Sequence, residues 1–515
     1  MPRNPPALRL APLLVMVSLL AAPRLSAQTL ADTTTLRLIR EEGLQRSRVL
    51  ETALALSDLS PPRLAGSPGY LHAANWAVDR LHHWGIPTAR LEAWGKATPS
   101  WVLDGYRLEM KSPWYLHLTA FPRAWSPATA GEVRAPVIVV HATADSDLAA
   151  LRGRFRGKIV LNGALRTLQP PESSVVHRFS EQELDSLVHL TDPGEPRTPA
   201  GDIEPWIATL AWHRRWSAFL RAEGAVGLIE PSDADVLLRA DGWEAFPGAQ
   251  WRGVPSFVLM RPEFNRLLRL VNAGQPVRLA LSLAAHLVPG RGEGMNVIAE
   301  LPGADPALAA EVVMLGGHLD SWISGSGATD NAAGCAVVME VLRIFHTLHL
   351  QPRRTVRIAL WDAEEPSEDY AGSMGYVKRH FGDWKSGARL PEHAGLSAYF
   401  NLDNGSGRIR GIYLQGNAAA RPLFESILHP LADLGADHVS LGSTGETDHV
   451  SFWAVGLPGF QFIQDPLDYD SRTHHTSFDT GDYLREDDLR QAAVVLATVV
   501  YRVAMRDGLV SRTAP

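Results

Sequence analysis

Eight side chains in the second half of the chain have the types and spacing that divalent-metal chemistry requires. His318, Asp320 and Asp330 lie in "GGHLDSWISGSGATDNAAG", Glu364 and Glu365 end "LWDAEE", Asp403 lies in "NLDNGSG", and His474 and His475 open "HHTSFDT". Imidazole and carboxylate ligands without thiolate, spread over separate loops, suit zinc or a similar ion, and carboxylate-rich sites of this kind also take manganese or cobalt. Two ions need a bridging carboxylate with terminal ligands on either side. Asp330 can bridge, His318 and Asp403 can hold one ion, and Glu365 and His475 the other. Glu364 is left over beside a ligand, where a general base for an attacking water belongs. Asp320, two residues past His318, suits the orienting of a ligand.

Taken singly, each group has an ordinary reading: a His-Leu-Asp loop, a glutamate pair on a solvated face, two histidines in a polar turn. What joins them is the elements that must position them. Residues from Met295 onward read as strand, loop, helix, repeated, the pattern of a mainly parallel sheet covered by helices. "EVVMLGG" precedes His318, "TVRIALWDAEE" carries the glutamates, Leu396–Leu402 precedes Asp403, and "VGLPGFQFIQ" precedes the histidine pair. In such sheets ligands collect at the carboxyl ends of the strands. Helices are expected from about Asn331 to His349 and from Glu486 to Arg506, by their apolar periodicity.

Ahead of this lie helical patterns over 33–57 and in "YLHAANWAVDRLHHWG", separated by the turn-rich "SPPRLAGSPGY". His82 and His83 have no acidic cluster beside them and read as surface residues. From about Glu132 to Ser282 the texture changes to short β-branched runs, "APVIVVH", "GKIVLNG", "GAVGLIE", "VPSFVLM" and "VRLALSL", with a proline-rich loop expected around 169–205. The expected division is a signal peptide over 1–27, a first part of the main domain over 28–125, a β-rich insert over 126–290, and the site-bearing domain over 291–515.

The 515 residues exceed one compact core, and a net charge of -7 without any Lys/Arg-rich tract argues against nucleic-acid partners. Arg3 and Arg9, the run "LAPLLVMVSLLAA" and small residues up to Ala27 read as a cleaved export signal rather than a stable membrane anchor, so a secreted or periplasmic location is expected. The sole cysteine, Cys335, excludes an intramolecular disulfide and reads as a buried apolar residue.

"GGHLDSW", "GATDNAAG", "LWDAEE", "NLDNGSG" and "HHTSFDT", in this order, resemble the co-catalytic di-zinc aminopeptidase family, and "GHLDSW", "GLPG" and the double histidine resemble its carboxypeptidase Q-like branch. "LRGRFRGKIVLNG", "AEGAVGLIE" and "VPSFVLMRPEFNRLLRLVNAG" resemble a protease-associated domain. The resemblance implies an α/β fold of the zinc exopeptidase, phosphorylase/hydrolase-like type, its mainly parallel mixed sheet flanked by helices, with an inserted β-rich protease-associated domain. It implies two zinc ions, one on His318, Asp330 and Asp403 and the other on Asp330, Glu365 and His475, with Glu364 as general base and Asp320 beside the ligands. His475, directly before "TSFDT", is preferred to His474. The implied activity is a metallo-exopeptidase acting on peptides or dipeptides. A single-zinc glutaminyl cyclase and a non-catalytic protease-associated binding module are the alternatives, and a homodimer is left open.

Overall fold

The computed structural model describes residues 22–512 except 97–98, 169–174, 194–198, 236, 243–252, 290–291 and 367–369. Most of the expected export segment therefore lies outside the described residues. No helix among those described is long and apolar enough to cross a membrane.

The main sheet has eight strands in the order Arg90–Lys96, Glu293–Leu301, Thr355–Trp361, Val312–His318, Leu396–Asn401, Gly459–Gln464, Ile409–Tyr413 and His438–Ser440. The four strands from Thr355–Trp361 to Gly459–Gln464 run parallel, and the antiparallel pairings lie toward the edges. This is the α/β fold, with a mainly parallel mixed sheet, that the sequence led us to expect. Successive residues alternate between the faces: Val313 and Leu315 pack into one apolar cluster, Val312 and Met314 into another. Both faces are covered, which is why these strands read as near-continuous apolar runs.

Helices Ala333–Thr347 and Glu486–Met505 cover one face, with Val49–Leu56 and Pro68–His83 in the same apolar cluster; Ala371–His380 and His449–Trp453 cover the other. Helix Ala333–Thr347 is buried at every position through Phe345, so its charges must pair internally. Arg343 donates to Glu340 and to Glu42, each at 2.8 Å.

Several elements differ from expectation. The stretch expected as helical over 33–57 forms two helices, Ala22–Gln45 and Val49–Leu56, and at the break the Arg48 N–H is capped by Glu340 (3.1 Å). The helix expected from Asn331 begins at Ala333, because Asp330 and Asn331, joined by a cis peptide bond, have non-helical backbone. The region expected as a loop over 169–205 contains helix Glu181–Val188, started by a Ser180–Glu183 capping box, and the beginning of Pro199–Ala222.

The five expected β-branched runs all form strands of a second eight-stranded sheet, drawn wholly from residues 100–288. This sheet also takes Ser100–Ser112 and Ala120–Pro122 from ahead of residue 126, where the insert was expected to begin. Its apolar cluster includes Trp322 and Ala363, which neighbour the site residues in sequence.

Candidate metal centre

Four adjacent parallel strands deliver the expected site residues to one edge. His318 ends its strand and is in register with Trp361, which Glu364 and Glu365 follow closely; Asp403 stands just past Asn401. His475 follows the Gly459–Gln464 strand through the turn Tyr469–Thr473. His318 Nε2 lies 3.2 Å from Asp330 Oδ1 and 3.4 Å from Asp403 Oδ1. His475 Nε2 lies 3.4 Å from Asp330 Oδ2 and 2.9 Å from Glu365 Oε2. Asp330 thus turns one oxygen toward each histidine, and each histidine has one further carboxylate.

The surroundings fix these directions. His318 Nδ1 donates to the Asp320 carbonyl (3.0 Å), leaving the Nε2 lone pair for the carboxylate side. The buried Asp320 carboxylate accepts the backbone N–H of Glu364 (3.1 Å) and of Glu365 (3.2 Å), so it sets the turn that aims both glutamates. The loop between His318 and Asp330 is pinned from both sides. Arg63, wholly buried, donates to the carbonyls of Leu319, Ser326 and Gly327 at 2.6–2.8 Å. Asp479 accepts from the backbone of Thr329 (2.6 Å) and of Asp330 (3.2 Å). Gly327 supplies the left-handed backbone (φ 64) this path requires, and a Cβ on Gly325 would stand 2.6 Å from the Thr476 carbonyl. Asp403 is held through its carbonyl, which accepts from Gln461 (2.8 Å).

The cluster gathers more negative than positive charge where water is scarce. Burial pushes Glu365 up to about 8, assisted by Asp330. Burial likewise pushes Glu364 well above the carboxylate range, together with Glu365, Asp403 and Asp448. Burial opposes protonation of His475, yet Glu365 and Asp330 hold it at about 9. His318 is raised in the same way, against burial, by Asp403 and Glu364. Asp330 moves in the other direction: against burial, the two imidazoles hold it below the usual carboxylate range. Asp330 Oδ2 and Glu365 Oε1 are buried without a hydrogen-bond partner. Unpaired buried carboxylate oxygens are costly, and a divalent cation would satisfy them, so the donor set fits such an ion.

His474 stays close to this group: donor atoms of Asp330, His474 and His475 lie within 4.8 Å of one another, as do those of His318, Asp330 and Glu365. Its ring stacks on Tyr469 at 4.8 Å, and burial pushes it down to about 4. Arg63, Asp448 and Asp479 are constituents that sequence reasoning passed over. The Asp448 carboxyl is buried and pushed up to about 8, first by burial and also by Asp403 and Asp320. Asp479 was within the quoted "HHTSFDT" and could have been found there. Arg63, in a turn-rich segment hundreds of residues away, gave no signal. Asp330, Glu365 and His475 line a small crevice with Trp322 and Asp479, and a separate cavity of about 270 Å³ is lined by Asn404, the neighbour of Asp403, with Tyr413, Thr444, Phe462, Gln464 and Tyr469 among others. Cys335 is fully buried behind His318, its Sγ 3.0 Å from the His318 carbonyl, and burial pushes the thiol up to about 12.

Comparison with known proteins places the chain among similar peptidases. The profile described as Peptidase family M28 matches residues 296–500. The chain is 28% identical to carboxypeptidase Q of Homo sapiens over 473 residues, 92% of this chain and 88% of that protein. It is 29% identical to carboxypeptidase Q of Mus musculus over 264 residues, 50% of this chain, and that alignment spans about half (52%) of the mouse protein. Among solved structures, a peptidase M28 precursor from Shewanella amazonensis superposes with a TM-score of 0.67 at 24% identity, over 94% of this chain and 99% of the other. A zinc aminopeptidase from Bacillus subtilis superposes with a TM-score of 0.55 at 18% identity, over 88% and 94% respectively. At these identities the superpositions speak to the fold.

Proposed function

We propose, on the premise that residues 296–500 are a peptidase family M28 domain, that this chain is an exported di-zinc metallo-exopeptidase of the aminopeptidase or dipeptidase kind. The observation that carries the reading is Asp330 standing between two histidines, each with its own second carboxylate, Asp403 on one side and Glu365 on the other. In this reading His318, Asp330 and Asp403 hold one ion, and Asp330, Glu365 and His475 the other. The ions would supply Lewis acidity toward the scissile carbonyl and acidify the attacking water. Glu364 takes the proton of that water as its oxygen bonds to the carbonyl carbon, then gives it to the leaving amine as the C–N bond breaks. The place of Glu364 directly before Glu365, in a partly buried turn, suits both steps. Asp320 keeps Glu364 in place through the backbone. Tyr469 is the candidate hydrogen-bond donor to the oxyanion, and the cavity beside it receives the substrate residue next to the cleaved bond. Export rests on the charged and apolar pattern of residues 1–27, and the block over 126–290 is read as a protease-associated domain.

The test pairs metal analysis with turnover. Glu364→Gln should bind two zinc ions per chain and lose about 100- to 10,000-fold in hydrolysis of a panel of dipeptides and aminoacyl reporters. Turnover close to wild type would remove Glu364 from the base role. A single ion per chain would favour the cyclase alternative, and none after zinc repletion the binding-module alternative.

A further inference from the structure

His475 is the one expected ligand whose backbone lies in the left-handed region (φ 58), a conformation uncommon for residues other than glycine. Ser324 Oγ donates to the His475 carbonyl (3.0 Å), and further holds come from a segment tied to the second sheet. The Ala240 N–H donates to the His475 carbonyl (3.1 Å), and Arg239 bridges to Thr476 across an isolated two-residue β-pairing. The Arg239 guanidinium then spans the turn that precedes His475: Nε donates to the His474 carbonyl (3.1 Å) and Nη2 to the Asp470 carbonyl (3.1 Å). A planar fork on two carbonyls of one turn fixes that turn's orientation as one flexible ammonium does not.

This short segment is itself tied to the second sheet. The Arg239 N–H donates to Ser232 Oγ (3.1 Å), and the Ser232 N–H pairs with the Leu259 carbonyl (2.8 Å). Asp241 pairs with Arg123 (2.7 Å), whose other nitrogen lies 3.4 Å from Glu230 on the Gly227–Pro231 strand. Trp322, packed within the same sheet's apolar cluster, meets the His475 ring edge-on at 5.9 Å.

We infer that Arg239 is a positioning residue for the metal centre: through the turn Tyr469–Thr473 it holds His475 in its left-handed conformation, so that the second sheet braces the ion site formed by Glu365 and His475. The inference rests on the two-ion reading and assigns the second sheet a role in metal affinity. Removing Arg239 leaves His475 free to relax from the strained conformation, so the ion held by Glu365 and His475 should loosen while the one held by His318 and Asp403 should not.

Zinc titration of metal-free Arg239→Ala, read by competition with a chromogenic chelator, should show one equivalent bound as in wild type and the other weakened about 10- to 100-fold. The cobalt-substituted protein should change its visible absorption in step with that equivalent. Arg239→Lys, which restores one donor, should recover part of the affinity, and Arg134→Ala, an exposed residue of the Val133–Val140 strand that pairs with Glu132, should titrate as wild type. Both equivalents bound by Arg239→Ala as tightly as by wild type, with an unchanged cobalt spectrum, would overturn the assignment. A wild-type protein that takes up only one equivalent would instead overturn the two-ion reading.

Discussion

Asp320 carries no expected bond to an ion, yet its carboxylate accepts from the two consecutive N–H groups behind Glu364 and Glu365. Burial raises it to about 6, so its charge depends on those donors and on His318 nearby. Asp320→Asn keeps the shape but replaces one acceptor oxygen with an amide that repels an N–H. We expect metal to be retained with an affinity lowered about 10-fold, and kcat to fall by about 10- to 100-fold, measured by metal analysis and steady-state kinetics. Much at this scale was legible in the sequence, because acids and imidazoles at strand ends are a local pattern. His318, Asp330, Glu365, Asp403 and His475 do lie together. Arg63 was not legible, since its partners are backbone carbonyls, and a carbonyl leaves no mark on residue type.

At the scale of elements, the parallel strands and the two long helices Ala333–Thr347 and Glu486–Met505 follow from apolar periodicity. The strands Arg90–Lys96 and Ser100–Ser112 do not, because "RLEAWGK" and "SWVLDGYRLEMKS" mix charge with apolar residues and take their order from pairing with Glu293–Leu301 and Arg278–Val288. The first of these, at the edge of its sheet, is fastened to helix Ala371–His380 by a titratable contact. His380 Nε2 lies 2.6 Å from Glu92 Oε1, and Nδ1 lies 3.2 Å from Glu392 Oε1. Burial opposes the imidazolium, but the two glutamates outweigh it and raise the His380 pKa above its ordinary value. A histidine raised in the folded state stabilises fully below its unfolded pKa, and the contribution is lost as pH rises through the folded value. The Tm difference between wild type and His380→Gln should therefore be largest near about pH 5.5 and shrink toward about pH 9. A difference that grows with pH would contradict this pairing.

At the scale of the whole molecule, the two sheets meet at the centre. Trp322 and Ala363, from loops of the first, are packed in the apolar cluster of the second, and the His475 backbone is hydrogen-bonded to Ala240. The sequence distinguished the two textures but gave no sign of this junction, because contacts between distant segments leave no periodicity. The junction and bound zinc should stabilise each other, so chelation should loosen the region around His318. The chain contains its own reporter for that event. Its single thiol, Cys335, sits fully buried against the His318 carbonyl. A thiol-reactive dye can reach it only through an opening of the protein, so its labelling rate measures how often that opening occurs. Without introducing any tag or cysteine, labelling should speed up by about 10-fold or more on chelation and return to the slow rate when zinc is restored. A labelling rate indifferent to metal would mean that the floor of the site opens independently of metal binding.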